Sequence, residues 1–122
     1  MLQELEELKG KKVLFVTIDT SISEGKDSYT ATRFAWRVNL KRAQSQDYVV
    51  GVNNCKIVDI FTAHTWLPAG DSRFESIKNY QLEKNSSRFG FIGQPVSEDW
   101  AKKLIGQGVG KKYQNPVRYQ KF

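Results

Sequence analysis

The residue types best suited to chemistry in this sequence are the basic and aromatic side chains between residues 29 and 42. This stretch has no acidic residue, and its basic and aromatic members are Tyr29, Arg33, Phe34, Trp36, Arg37, Lys41 and Arg42. Guanidinium groups bind phosphates through paired hydrogen bonds and aromatic faces stack on bases, so the combination predicts nucleic-acid binding. Core aromatics beside solvated charges would give the same pattern, and the sequence leaves this alternative open.

A second basic-aromatic segment occupies residues 111–122, and further candidates lie between the two segments. Arginine and lysine would contact phosphates, and aromatic residues would form the surface that faces the bases. Trp36 and Trp66 can instead be core anchors. The candidate nucleic-acid-binding residues are Tyr29, Arg33, Trp36, Arg37, Lys41, Arg42, Trp66, Arg88, Phe89 and Arg118.

The charge distribution favours polyanions as partners. The chain of 122 residues has a net charge of +6, but residues 1–30 carry four Lys/Arg against six Asp/Glu. Residues 31–122 carry fifteen Lys/Arg against seven Asp/Glu, so the positive charge is concentrated there. A basic body of this kind attracts nucleic acid first and anionic proteins second.

The sequence offers little for catalysis or for a metal. Cys55 is the only cysteine and His64 the only histidine, so neither an internal disulfide nor a cysteine-based metal site is expected. No catalytic residue, metal or cofactor is predicted, and a binding module is favoured over an enzyme. A small hydrolase or nuclease acting on a modified nucleoside stays open; it would need Thr30, Lys41 or His64 to meet a buried carboxylate in a closed pocket.

The chain contains no apolar run of the roughly 18 residues that span a bilayer, so no membrane partner is expected. Its N-terminus is acidic and amphipathic, which is unlike a signal or transit peptide, and a cytoplasmic location is the expectation. Residues 2–9 are predicted to form a short helix with an apolar stripe of Leu2, Leu5 and Leu8. A third alternative is a protein-interaction module that docks on an acidic partner, through this N-terminal helix or through the basic face of the domain.

The first third of the chain predicts alternating elements. Residues 12–18 are β-branched and apolar and predict a buried strand, and residues 19–27 are expected to form an exposed loop. Residues 32–38 fit either a strand or a helix, and in both cases Arg33 and Arg37 would share a face. Asn39 is expected to cap a short helix over residues 40–45, with Ala43 inward and Lys41 and Arg42 outward.

The clearest local pattern is a β-hairpin formed by residues 47–52 and 55–62. Asn53 and Asn54 are the predicted two-residue turn, which places Val52 opposite Cys55, Val50 opposite Ile57 and Tyr48 opposite Asp59. The later elements are a break at residues 66–70, an irregular stretch 71–87, a strand 88–96, a helix capped by Ser97 and a strand 116–122. This order predicts one α+β domain over residues 1–122, with a small curved mixed sheet or partly open β-barrel and short helices.

A spaced set of aromatic, basic and small residues runs through the chain, and it consists of Tyr29, Ala31, Thr32, Arg33, Ala35, Trp36, Arg37, Asn39, Asp47, Tyr48, Val49, Ile57, Val58, Trp66, Arg88, Phe89, Gly90, Phe91, Gly93, Asn115, Pro116, Val117, Arg118 and Tyr119. This spacing resembles that of the PUA-like group of small β-barrels, which includes the PUA, ASCH, EVE and YTH domains. The resemblance covers the chain from Tyr29 onward, and residues 1–28 have no clear counterpart. It implies a cleft between the barrel and its helices that binds RNA or a modified base, and some ASCH-type members look like small hydrolases of modified nucleosides.

Overall fold

A computed structural model of the chain describes residues 8–77, 87–109 and 115–122. Strands and short helices alternate along it, which confirms the predicted α+β class; the predicted helix over residues 2–9 falls almost entirely outside the described residues. No helix in the described ranges is long and apolar enough to cross a membrane. The elements are β1 (Lys12–Thr17), α1 (Asp19–Ser23), α2 (Ser28–Arg33), α3 (Leu40–Gln44), β2 (Tyr48–Asn53), β3 (Lys56–Pro68), a 3-10 turn (Ser72–Phe74), β4 (Phe89–Pro95), α4 (Asp99–Leu104) and β5 (Val117–Lys121).

The five strands form one sheet in the order β4–β3–β2–β1–β5. β1 and β2 run parallel, whereas the β1–β5, β2–β3 and β3–β4 pairs are antiparallel. The sheet is therefore mixed, as predicted. Within the described residues it does not close into a barrel, and β4 and β5 are its edge strands.

Both faces of the sheet are covered, which explains why β1 is apolar without alternation. On one face, here called the three-helix face, Leu14 and Val16 pack in a core cluster with Ala31 of α2 and Ala43 of α3, and Ile22 of α1 packs against it. On the other, here called the α4 face, Val13 and Phe15 of β1 cluster with side chains of α4. A strand buried on both sides gives a continuous apolar run, and β1 is such a strand.

The predicted loop over residues 19–27 is wrong, because residues 19–23 form α1. Ile18 is buried and Ile22 packs against the same core cluster, so their spacing of four residues marks one apolar helical face. The next helix, α2, begins where the carboxylate of Asp27 accepts a hydrogen bond from the Thr30 amide at 2.7 Å. The other residues of this segment are mostly polar, so the helical spacing of Ile18 and Ile22 was not recognised in the sequence.

The segment over residues 32–38 is neither one strand nor one helix. α2 ends at Arg33, and Phe34 already has an extended backbone. Arg33 is therefore the last residue of α2, whereas Arg37 lies in the segment between α2 and α3, and the prediction that they share a face is wrong. The helix predicted after Asn39 is confirmed: the Asn39 side chain accepts a hydrogen bond from the Arg42 amide at 3.0 Å, and Ala43 is buried.

The cap predicted for α4 is wrong. Glu98, not Ser97, occupies the position before the first helical residue, and neither supplies a side-chain cap. The Glu98 carboxylate instead accepts a hydrogen bond from the Trp100 indole at 3.1 Å. This contact holds Glu98 beside Trp100, whose ring packs edge-on against Tyr48.

The hairpin is confirmed, but its turn lies one residue later than predicted, so the β2 residues beside the turn have partners two residues further along β3. Asn54 and Cys55 form the turn, both with positive φ, so Val52 lies opposite Ile57. The register then shifts between Gly51 and Val52, so that Asp59 lies opposite Gly51 and not, as predicted, opposite Tyr48. β3 also continues through the predicted break at residues 66–68, where Trp66 lies opposite Phe91 of β4.

Candidate functional site

A cleft of about 380 Å³ opens at the C-terminal end of β1, and we call it the α1 cleft. Its volume falls in the range of about 300–1,000 Å³ that is typical of small-molecule sites. Hydroxyl and charged groups from α1 and the following loop form one part of the lining, and the segment after α2 forms another. The lining residues are Thr17, Thr20, Ser21, Glu24, Lys26, Phe34, Ala35, Trp36, Arg88 and Pro116.

The polar side of the cleft is held by α1. The Ile18 amide donates to the Val52 carbonyl at 2.8 Å, and the Ile22 amide donates to the Ile18 carbonyl at 2.9 Å. These bonds fix the start of α1 to the sheet and leave Thr20 and Ser21 on the cleft. Glu24 and Lys26 form an ion pair at 3.5 Å, so the charge of each is offset by the other, and Arg88 adds a second basic side chain to the lining.

Trp36 and Arg88 are brought together although they lie far apart in the sequence. Trp36 exchanges two backbone hydrogen bonds with Phe89, at 2.8 and 2.9 Å. The Trp36 indole donates to the Thr32 carbonyl at 2.6 Å, and Arg88 donates to the Ala35 carbonyl at 3.4 Å. Trp36 is only 9% exposed and belongs to the core cluster of the three-helix face, and it is also one of the residues that line the cleft.

Three of the other predicted residues serve packing. Trp66 is only 6% exposed and its ring lies 5.1 Å from that of Phe91, so the core interpretation holds and no open ring face is left for a base. The Tyr29 ring packs near Phe91, and its hydroxyl accepts a hydrogen bond from the Gly93 amide at 3.0 Å. Arg33 lies over the rings of Tyr29 and Phe74, and its Nε is buried without a hydrogen-bond partner among the described residues.

The remaining predicted residues divide between the sheet and the surface. Arg118 lies over the Phe15 ring at 4.5 Å on the α4 face and donates to the Gln120 side chain at 2.7 Å. Phe89 is half-buried and takes part through its backbone bridge to Trp36. Arg37 and Lys41 are exposed, and Arg37 immediately follows a residue of the α1 cleft.

Arg42 belongs to a second cavity, of about 220 Å³, which we call the β5 pocket. The guanidinium of Arg42 lies 4.0 Å from the centre of the Tyr119 ring. Burial raises the pKa of the Tyr119 hydroxyl, and the positive charge of Arg42 works in the opposite direction. The pocket is lined by Lys12, Arg42, Ser45, Gln46, Tyr119, Gln120 and Lys121.

Sequence reasoning missed the hydroxyl groups of the α1 cleft and the lysines of the β5 pocket. Thr20 and Ser21 were missed because residues 19–27 were predicted to be a loop. The four-residue spacing of Ile18 and Ile22 could have indicated the helix α1. Lys12 and Lys121 lie at opposite ends of the chain, and they meet only because β1 pairs with β5. That pairing has no local sequence pattern.

The residues considered for hydrolysis are dispersed over three elements. Thr30 lies on α2, Lys41 on α3 and His64 on β3, and none of the three lines the α1 cleft. In the parts of the chain that the structure describes, no three His, Cys, Asp or Glu side chains are grouped so that they could hold a metal ion.

Comparison of the chain with models of protein families, with curated proteins and with solved structures finds no match. The resemblance to the PUA-like group therefore stays a hypothesis based on the spacing of residues.

Proposed function

We propose that the protein binds nucleic acid, as RNA or as single-stranded or modified DNA, through the α1 cleft. One observation carries this proposal. Trp36 and Arg88, an aromatic residue and a cation selected from separate parts of the sequence, line the same cleft together with three hydroxyl-bearing residues. Aromatic, cationic and hydroxyl groups are the three kinds of side chain that hold a base and its phosphate.

Each group has a distinct role in this proposal. A guanidinium has five N–H donors, so Arg88 can donate to the Ala35 carbonyl and to a phosphate oxygen at the same time. The hydroxyls of Thr20 and Ser21 can donate to or accept from the edge of a base. Trp36 supplies an apolar wall against which part of the base packs.

The shape of the site favours single strands over a duplex. A concave cleft can receive a base only when the base leaves its stack, and an unpaired base leaves its stack at lower free-energy cost than a paired one. Arg37 is exposed and follows Trp36 directly, so it is placed to contact the phosphates next to a base in the cleft.

A hydrolase of modified nucleosides is the second candidate. The observation that favours it is that the Glu24 carboxylate shares the cleft with the hydroxyls of Thr17, Thr20 and Ser21. Release of a free base or of ammonia from modified nucleosides, followed by chromatography, tests it. Loss of this release in Glu24→Gln, with unchanged nucleic-acid affinity, would establish it.

The nucleic-acid proposal is tested by blocking the cleft without changing its charge. Thr20 is exposed on α1 and lines the cleft, so the bulky side chain of Thr20→Trp is expected to fill it. We expect labelled single-stranded RNA or DNA of about twelve nucleotides to bind with an affinity that falls with salt, and Thr20→Trp to weaken binding about tenfold or more. Fluorescence anisotropy across a salt series measures both effects.

The matched control is Ser97→Trp, which adds the same side chain at an exposed serine next to α4. It should bind like the parent. Equal affinity of the Thr20→Trp variant and the parent, or tighter binding of duplex than of single strands, would contradict the proposal. Absence of binding at low salt would contradict it for every class of nucleic acid.

A further inference from the structure

The β5 pocket gathers three positive side chains from three elements. Lys12 is the first residue of β1, Arg42 lies on α3 and Lys121 is the last residue of β5. Lys12 and Lys121 are opposite each other in the antiparallel β1–β5 pair. Three like charges around one cavity repel one another, and an anion in that cavity removes the repulsion.

No carboxylate of the described chain neutralises these cations. The ion pairs among the described residues are Lys26–Glu24 and Arg73–Asp71, and both lie outside the pocket. Asp47 carries a carboxylate next to the pocket residue Gln46 in the chain, and this carboxylate accepts a hydrogen bond from the Lys12 backbone amide at 2.8 Å. Asp47 does not line the pocket, and even when its single negative charge is counted, the three cations leave an excess of positive charge.

Two further features of the β5 pocket favour the binding of an anion: the fixed position of the Arg42 guanidinium and the hydrogen bonds to the Arg42 carbonyl. The Arg42 guanidinium is held over the Tyr119 ring, which reduces the freedom that it would lose on binding a ligand. The side chains of Ser45 and Gln46 both donate to the Arg42 carbonyl at 2.8 Å. These two bonds satisfy a carbonyl at the C-terminal end of α3, the end that would otherwise repel an anion.

The pocket and the α1 cleft lie at the two ends of the same pair of strands. Lys12 and Thr17, which line the pocket and the cleft respectively, are the two ends of β1, and five residue steps of a strand span about 17 Å. Pro116, just before β5, lines the cleft, and Lys121 at its other end lines the pocket. The exposed Arg37 lies in the chain between Trp36 of the cleft and Arg42 of the pocket.

We propose that the β5 pocket binds a backbone phosphate of the same nucleic-acid strand whose base occupies the α1 cleft, a few nucleotides away. This inference rests on the proposed function for the source of the phosphate. The chemistry that it needs, a tetrahedral dianion or diester held by two lysines and one arginine, is the same for a free phosphate.

Two measurements test the inference on the full chain. In the first, inorganic phosphate is titrated while backbone amide resonances are followed by NMR, and those of Ser45, Gln46 and Lys121 are expected to shift to saturation. In the second, the affinity of single strands of increasing length is measured for the parent, for Lys121→Ala and for Lys103→Ala. Lys103 is an exposed lysine of α4 outside both cavities and gives the same change of charge.

We expect short oligomers to bind the parent and Lys121→Ala equally. Once an oligomer is long enough to reach the pocket, Lys121→Ala should bind about tenfold more weakly, the factor that corresponds to one charge-assisted hydrogen bond. The slope of the logarithm of its binding constant against the logarithm of the salt concentration should be smaller in magnitude by about 0.7, the value for one phosphate of a single strand. Arg42→Gln should show the same dependence on length, and Lys103→Ala should match the parent.

The outcomes separate the two proposals. If long oligomers bind Lys121→Ala, Arg42→Gln and the Lys103→Ala control alike, the β5 pocket does not contact the strand and this inference is overturned, while the proposed function stands. If no oligomer binds at low salt, the proposed function fails together with the assignment of the phosphate to a strand. A saturating shift with inorganic phosphate would in that case identify a site for a free phosphate.

Discussion

At the scale of single residues, arginines over tyrosine rings have two different environments in this protein. Arg33 is half-buried between the Tyr29 and Phe74 rings, and it joins α2 to the core. Arg42 has the same kind of contact with Tyr119, but it is exposed and faces a cavity. Both were predicted to bind nucleic acid because they are arginines, and only their different burial distinguishes the packing role of Arg33 from the position of Arg42 at a cavity.

Thr32 provides a prediction about stability. Its side chain is 0% exposed and its hydroxyl has no hydrogen-bond partner among the described residues. Burial of an unpaired hydroxyl is unfavourable, and valine has nearly the same shape, so Thr32→Val should raise the free energy of unfolding by about 1 kcal/mol. Chemical denaturation measures the change.

The control for this prediction is Thr30→Val, at a half-buried position of the same helix. The two variants have the same effect on helix propensity, so the difference between them isolates the buried hydroxyl. Loss of stability in Thr32→Val would show that the hydroxyl is hydrogen-bonded, for instance to an ordered water, and the argument would then fail.

At the scale of elements, the sequence predicted where strands occur better than how they pair. The strands over residues 12–18, 88–96 and 116–122 are confirmed to within two residues, because β-branched and aromatic runs mark them directly. The hairpin register is wrong because Asn53–Asn54 and Asn54–Cys55 are both possible two-residue turns. In the structure the turn is Asn54–Cys55, both with positive φ, and it pairs Val52 with Ile57, both buried on the α4 face.

The pairing of β3 with β4 contains an irregularity that gives a prediction about Gly93. The register shifts between Ala63 and Thr65, and a methyl group at Gly93 would meet the Thr62 carbonyl oxygen. The backbone cannot move away without loss of the pairing, so Gly93→Ala should lower the free energy of unfolding by about 2 kcal/mol. Thermal or chemical unfolding measures the loss.

Gly108→Ala is the matched control for Gly93→Ala. A methyl group there would lie 3.8 Å from the Cys55 carbonyl oxygen, an ordinary contact, so stability should change by about 0.5 kcal/mol or less. A Gly93→Ala variant as stable as Gly108→Ala would show that the β3–β4 pair adjusts locally. The close approach of the two backbones would then not require glycine.

At the scale of the whole molecule, the N-terminal part of the chain is integral to the sheet. The resemblance to PUA-like domains begins at Tyr29 and leaves β1 without a counterpart, yet β1 pairs with both β2 and β5. A unit that began at Tyr29 would lack this strand and the polar side of the α1 cleft. Sequence reasoning identified Trp36 and Arg88 but not the hydroxyl groups opposite them, because long-range strand pairing creates the site.

The pH dependence of stability gives a prediction about the two tyrosines on opposite faces of the sheet. Burial is the main reason that the pKa of Tyr48 is raised, and the Glu98 and Asp47 carboxylates add to the rise; burial also raises the pKa of Tyr119. The folded state therefore holds these protons more tightly than the unfolded state, in which tyrosine has a pKa of about 10. Their contribution to stability is complete below that pH and is lost as the pH rises through the higher folded values.

We therefore expect the free energy of unfolding to fall above about pH 10, and the double variant Tyr48→Phe, Tyr119→Phe to lose less stability over the same interval. The comparison is made between variant and parent at each pH, because every other ionisable group is the same in the two proteins. Urea denaturation at a series of pH values measures the two slopes. Parallel curves for parent and variant would mean that the fold does not disfavour the ionised form of either hydroxyl, and the prediction would then be wrong.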